Sequence, residues 1–213
     1  STLQRTTILM LIKIHDLKNN YCIDFTNILH IGAHDCEELS DYTQLGAKNI
    51  HWVEAMKDKI KDINVPNCKN QMTLGVVSDK EGDLVNFNIT NNGQSSSILE
   101  LKEHIKEHPR IKNISSEKRI TTTIDSILKN SILKDETIGF LNIDIQGAEL
   151  LALKGAKETL VNVNSIYIEV NEKELYSNCA LLPQIDEYLS ALGFKRVETK
   201  ITKHGWGDAF YVK

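Results

Sequence analysis

Hydrophobic positions along the chain fall into short runs separated by amphipathic stretches. The run 27–31 (NILHI) stops at Gly32 and reads as a buried strand. Residues 37–45 follow with Leu39, Tyr42 and Leu45 at helical spacing, and Gly46 stands where a helix C-terminus favours a left-handed residue. Residues 50–54 (IHWVE) and 71–77 (QMTLGVV) predict a second and a third strand. Further on, 84–89 alternates as a strand does, 91–97 (NNGQSSS) is polar and turn-prone, and 100–112 is charged and expected to be helical. Residues 119–124 (RITTTI) are β-branched, and 125–130 predicts a short helix with Asp125 near its start. The alternation then resumes. Residues 138–143 (IGFLNI) form a strand ending at Asp144, and 149–160 a helix burying Leu150, Leu153 and Leu160. A strand at 165–170 (SIYIEV) precedes a helix at 185–192, which is capped by Gly193, and strands at 194–201 and 209–212 complete the chain. Strand and helix in this order, with near-continuous apolar strands, predict an α/β fold: a largely parallel sheet covered by helices. Such sheets bind ligands at the carboxyl ends of their strands. Residues 32–38, Glu54, Ser78 and Asp79, 144–147 and 169–171 therefore mark the expected site.

Composition narrows the class. The 213 residues are 41% hydrophobic and 25% charged, which suits one soluble domain over residues 1–213, with 1–26 as a helical or strand lead-in. A net charge of −4 argues against nucleic acid as a partner, because a polyanion needs a basic face. Cys22, Cys36, Cys68 and Cys179 show no C-x-x-C spacing, so reduced thiols and a cytoplasmic location are expected. The apolar run 8–12 is too short to span a bilayer, and no secretory signal is visible. The chain opens with Ser1 instead of Met, as a trimmed chain or a domain cut from a longer polypeptide would.

The first strand–loop–helix has the make-up of a nucleoside site. Gly32 lets the backbone turn sharply, and twenty-two residues on, Glu54 closes the second strand, where a carboxylate can accept hydrogen bonds from both ribose hydroxyls. A dinucleotide would want G-x-G-x-x-G, yet only Gly32 is present, and the helix start carries Glu37 and Glu38. Two carboxylates repel a pyrophosphate but suit a cofactor with an ammonium and a sulfonium. S-adenosylmethionine is the expected cofactor, not NAD.

The set ILHIGAHDCEE, HWVEA, GVVSDKEG, GQSSSIL, ITTTIDSIL, FLNIDIQGAELLALKGA and SIYIEV resembles the FkbM family of methyltransferases in order and spacing, from about Asn27 to Tyr211. The resemblance implies a Rossmann-like class I methyltransferase sandwich: a seven-stranded, mostly parallel sheet with a last antiparallel strand. It also implies methyl transfer to oxygen, often on sugars, glycans or natural products. On that basis the cofactor is assigned to His30, Gly32, Ala33, His34, Glu54, Ala55, Ser78, Asp144 and Gln146. Two positions depart from the family pattern: His30 stands where an acid is common, and Cys36 where a second glycine is usual.

Methyl transfer is an in-line displacement, so the acceptor oxygen must be aligned and its proton given a destination. Asp144, Glu169 and His204 are the catalytic candidates. Glu169 is a charge inside an apolar strand. It either pairs with a lysine or converges with Asp144, and that pair is also the candidate ligand set for a divalent metal. Glu149 caps backbone or pairs with a lysine. Gln94, Ser95, Ser96, Asn171 and Trp206 are candidates for the acceptor: hydroxyls and amides for sugar oxygens, and a ring to stack against. The expected acceptor is a hydroxyl of a sugar in a glycan or glycoconjugate, with glycosyltransferase domains as candidate fusion partners. A small secondary metabolite, an RNA ribose and a non-catalytic cofactor-binding role stand as alternatives.

Overall fold

In the computed structural model, which describes residues 10–93, 96–102 and 110–213, the apolar runs become the strands of two sheets. The larger holds β1 (Asn27–Ile31), β2 (Asn49–Glu54), β3 (Lys69–Leu74), β7 (Phe140–Ile143), β8 (Ser165–Asn171), β9 (Lys195–Ile201) and β10 (Trp206–Val212). Its order is β3-β2-β1-β7-β8-β10-β9. The pairs from β3 to β8 are parallel, whereas β10 runs antiparallel to both β8 and β9. This is the seven-stranded sheet that the family resemblance implies. Strand order reverses between β1 and β7, so the crevice belongs at their carboxyl ends. The smaller sheet, β4 (Val76–Val77), β6 (Asn113–Thr122) and β5 (Leu84–Thr90), rises beside that end.

Side chains on a strand alternate between faces, and this period explains the site. One face carries Leu29, Ile31, Leu141, Ile143, Ile166 and Ile168, which pack against α3 (Ile124–Leu128), α4 (Glu149–Lys154) and α5 (Leu182–Ala191). The other face carries Ile28, Trp52, Phe140, Tyr167 and Phe210, covered by α1 (Ile14–Tyr21) and α2 (Leu39–Gln44). Along that second face each strand turns polar at the crevice end. Ile28 gives way to His30, Trp52 to Glu54, Phe140 to Asn142 and Asp144, and Tyr167 to Glu169. β10 runs the other way, and Phe210 gives way to Asp208. The sheet is therefore apolar at its foot and acidic at its rim.

Several elements depart from expectation. The strand expected over 71–77 breaks at Gly75, whose N–H still bonds Glu54 O at 2.9 Å, before Val76 and Val77 turn to pair with β6. The helix expected over 149–160 ends at Lys154, and a Cβ on Gly155 would stand 2.3 Å from Ser78 O. Asp125 does not cap its own helix, where Thr123 Oγ1 accepts from Ser126 N; it receives Thr159 N and Oγ1 at 2.8 and 2.7 Å. The last strand begins at Trp206, three residues earlier than its apolar pattern predicts. Most of the charged stretch 100–112 lies outside the described residues.

His51 gives the fold a pH dependence. It is fully buried on β2, with Nδ1 2.6 Å from Ser131 Oγ and Nε2 2.8 Å from Thr73 Oγ1, and burial lowers its pKa to about 4. Below pH 6.5 the unfolded chain takes up a proton that the folded chain refuses, so stability falls between pH 6.5 and 4. Relative to His51→Gln, the native chain should lose about 3 kcal/mol between pH 7.5 and 4. Urea titrations of both proteins at the two pH values measure this, and a constant difference between them would refute it.

Candidate active site

The loop after β1 is held by its neighbours. Gly32 has φ +91°, and a Cβ there would lie 1.8 Å from Asp144 O. Glycine is thus demanded by the close approach of the β7 loop. Glu54, buried at the end of β2, fastens this loop to the next: its Oε2 accepts His34 N and its Oε1 accepts Met56 N, both at 2.7 Å. Each oxygen keeps a second lone pair, and the side chain lines the crevice, so the donor pair of a ribose diol fits here. Ala33 and Ala55 line the crevice beside it, and Arg119 Nη1 holds Ala55 O at 2.9 Å.

His30 lines the same end but is committed to the protein. Its Nδ1 lies 3.1 Å from Tyr42 Oη, which accepts Asn142 Nδ2 at 3.0 Å, and burial lowers its pKa to about 3, so the ring is neutral. Below it the ring packs against Trp52 at 5.1 Å. His34 and Cys36 both take left-handed backbone, φ 44° and 57°, in a loop where glycine would be the relaxed choice. His34 Nδ1 lies 2.9 Å from Glu37 Oε1, which holds the imidazole pKa above its ordinary value. Glu38 also faces the crevice, and burial pushes its carboxyl up to about 7. A half-buried carboxylate without an ion-paired lysine or arginine among the described residues suits the ammonium of S-adenosylmethionine.

Beyond Glu54 and the β1 loop three acids converge, Glu149 and Glu169 buried and Asp144 half-buried. β7 and β8 are parallel neighbours with Ile143 opposite Ile168, so Asp144 and Glu169 project from adjacent strand ends. Gln146, with φ 58°, bridges them: its Nε2 donates to Asp144 Oδ1 at 2.6 Å and Glu169 Oε2 at 3.1 Å, while its Oε1 accepts Tyr176 Oη at 2.7 Å. Glu149 caps the turn below, its Oε1 accepting Ile145 N and Gly147 N at 3.0 Å each. Burial, then mutual repulsion, raises the pKa of Glu169 well above the carboxylate range; burial takes Glu149 to about 7 and also raises Asp144.

Asp208 is a fourth acid that the strand pattern hid. It lies opposite Glu169 in the β8–β10 ladder, is 7% exposed, and lines the crevice, with burial raising its pKa to about 6. Its Oδ2 accepts Leu11 N at 2.7 Å and the Tyr167 hydroxyl, which also bonds Ile12 O at 3.3 Å. The segment before α1 is thereby pinned at the crevice rim, and Met10 lines it. The rule that flagged Glu169, a charge among apolar strand residues, finds Asp208 once the strand is started at Trp206.

The remaining candidates divide. Ser96 and Trp206 line the crevice, with Ser96 Oγ accepting Thr90 N at 3.1 Å; Met56, Val77 and Phe87, which the sequence did not single out, line it too. Ser78 does not line it: its backbone pairs with β6 and lies under Gly155, and its Oγ donates to Asp79. His204 belongs to the turn between β9 and β10 and is not a lining residue. Asn171 stands on the crevice face of β8 opposite Trp206, yet both its amide atoms are buried and unpartnered. Gln94 and Ser95 lie outside the described residues.

Comparison with known proteins identifies the family. The family model described as the methyltransferase FkbM domain matches residues 30–196. The chain belongs to the FkbM methyltransferase family. Among curated proteins it is similar to the 2-O-methyltransferase NoeI of Sinorhizobium fredii (strain NBRC 101917 / NGR234), with 30% identity over 99 residues. That match spans 46% of this chain and 38% of the length of NoeI. Among solved structures it is similar to an S-adenosylmethionine-dependent methyltransferase from Aquifex aeolicus, at 12% identity and a TM-score of 0.42, covering 93% of this chain and 87% of that one. The family is one of methyltransferase domains. No helix among the described residues is long and apolar enough to cross a membrane.

Proposed function

We propose that this FkbM-family chain transfers a methyl group to a hydroxyl, that of a sugar in a glycan or glycoconjugate. The observation that carries the reading is the convergence of Asp144 and Glu169 at the crevice end of β7 and β8, next to the half held by Glu54. S-adenosylmethionine, when bound, supplies an electrophilic methyl group. Glu54 would hold the ribose, and Glu37, Glu38 and His34 would hold the amino-acid end. Asp144 would receive the proton of the acceptor hydroxyl, and Gln146, which bridges it to Glu169, fixes the direction of its carboxylate. Trp206 offers a flat apolar ring and Ser96 a hydroxyl, a pairing suited to a sugar's faces and edges. The printed activity of NoeI, 2-O-methyl transfer, supports oxygen as the acceptor atom. An RNA acceptor is disfavoured, because no described lysine or arginine lines the crevice.

Calorimetric titration with S-adenosylhomocysteine tests the cofactor half. Losing two charge-assisted hydrogen bonds, about 3 kcal/mol, should weaken binding by Glu54→Ala about 100-fold. Thermal melts confirm that the variant folds, since the change also frees the amides of His34 and Met56. Tritium transfer from labelled S-adenosylmethionine to neutral glycosides tests the acceptor. Unchanged binding in the folded variant would refute the cofactor placement, and transfer only to an amine or thiol acceptor would refute the hydroxyl reading.

A further inference from the structure

We propose that Met10 determines acceptor specificity: with Trp206 it forms an apolar wall that seats an aryl or alkyl aglycone of the sugar being methylated. The sugar rests on the hydroxyl-transfer reading, whereas the wall does not depend on which atom takes the methyl group. Strand order dictates where such a wall must stand. β7, β8 and β10 are neighbours in that order, with Asp208 opposite Glu169 and Trp206 opposite Asn171. Adjacent strands lie about 4.8 Å apart, so β10 is about 10 Å from β7, enough to hold one sugar ring. Glu54 and the cofactor half lie on the other side of β7. An acceptor whose hydroxyl meets Asp144 therefore sends its substituent across Glu169 towards β10.

Met10 is brought to that side by long-range bonds. Leu11 N donates to Asp208 Oδ2 at 2.7 Å, Ile12 N to Tyr167 Oη at 3.2 Å, and Lys200 Nζ to Leu11 O at 3.1 Å. Ile12, Ile14 and Leu17 are buried in the core just beyond. The main chain behind Met10 is thus fixed, and its half-buried side chain lines the crevice. Asp208 is a buried carboxylate on a strand where an apolar residue would cost less, and its bond to Leu11 spans 197 positions of sequence. What that carboxylate achieves is to hold Met10 at the mouth. Trp206 stands two residues from Asp208 on the same face of β10, half-buried, and is backed by Leu175, Tyr176 and Cys179. A thioether and an indole at one rim offer a polarisable surface suited to an aromatic or aliphatic group. Met10, Trp206 and Asp208 also lie outside residues 30–196, the part that matches the family model, whereas Glu54, Asp144 and Glu169 lie within it. The transfer groups are drawn from the shared segment, and the wall from segments on either side of it.

The three methionines make the wall visible by nuclear magnetic resonance. Met10 lies on it, Met56 lines the cofactor half, and Met72 on β3 is not a lining residue. The full chain, carrying 13C-methyl methionine and loaded with S-adenosylhomocysteine, is titrated with phenyl β-glycosides of glucose, galactose and mannose beside their methyl counterparts. At least one phenyl glycoside should shift the Met10 methyl resonance through its ring current, with Met72 unmoved. Tritium transfer then gives kcat and KM for both series. Met10→Ala should raise KM for the phenyl glycoside about 10-fold, the scale of one or two buried methylenes, and so erase its preference over the methyl glycoside. Tyr167→Phe leaves the ring packed but frees Ile12 N, and should move the preference the same way with little change in S-adenosylhomocysteine affinity. A Met10 resonance that no phenyl glycoside moves, or a preference kept by Met10→Ala, would overturn the wall. Transfer to the glycosides with Met10 unmoved would leave the hydroxyl reading standing without it. Label passing only to benzylamine or benzyl thiol, with Met10 shifted, would keep the wall and sink the hydroxyl reading.

Discussion

Asp144→Asn is expected to lower kcat for hydroxyl methylation by about 10²- to 10⁴-fold, while S-adenosylhomocysteine binds within about threefold of the native affinity. The substitution keeps shape. The backbone N–H of residue 144 still bonds Ile31 O, its carbonyl still packs against Gly32, and an amide oxygen can still accept from Gln146 Nε2. What it removes is the charge beside the reacting oxygen and the ability to take a proton. Cofactor affinity should survive, because the proposed holders of the ribose and amino-acid ends, Glu54, Glu37 and Glu38, stand on other elements. Single-turnover transfer set beside calorimetry separates the two quantities. A kcat within threefold of native would show that the hydroxyl proton leaves by another route. A joint collapse of kcat and binding would place Asp144 in the cofactor site alone.

Gly32→Ala should do more damage to the protein than any change of charge. The added carbon would meet a main-chain oxygen at 1.8 Å, and backbone cannot rotate away as a side chain can. The residue would also be held at φ +91°, outside the regions an L-residue prefers. Both strains fall on the junction of β1 and β7, so relief requires those strand ends to part. The expected cost is at least about 3 kcal/mol, a drop of about 6–12 °C in Tm for a domain of this size, with S-adenosylhomocysteine binding lost. Differential scanning calorimetry and a binding titration measure both. A native-like Tm would mean that the loop yields at little cost.

Much of this was written in the local pattern. The strands β1, β2, β7 and β8 announce themselves as apolar runs, and Glu54, Asp144 and Glu169 stand out as charges at their ends. The features that escaped depend on contacts between distant segments. Gly32 looks like a glycine that admits a ligand, and only the position of Asp144 O reveals the neighbour that excludes a side chain. Asp208 was hidden because the apolar run of β10 begins after it, though the ladder with β8 extends back to Trp206. Ser78 follows strand residues and reads as crevice-facing, but β4 leaves the main sheet for the small one and carries it under Gly155. Gln146 was expected to serve the cofactor; that its amide spans two acids is a property of where β7 and β8 end, which no spacing encodes.

The strap made by Leu11, Asp208 and Tyr167 has a practical consequence for handling the protein. Cargo joined at Met10 would hang at the mouth of the crevice, beside the strap to the acid that faces Glu169. At the other end, Lys213 N bonds Asn164 O beside the first residue of β8, at the foot of the sheet. A bulky group attached at Lys213 would therefore stand at the opposite end of the sheet from the mouth, whereas one attached at Met10 would screen out large acceptors and pass small ones.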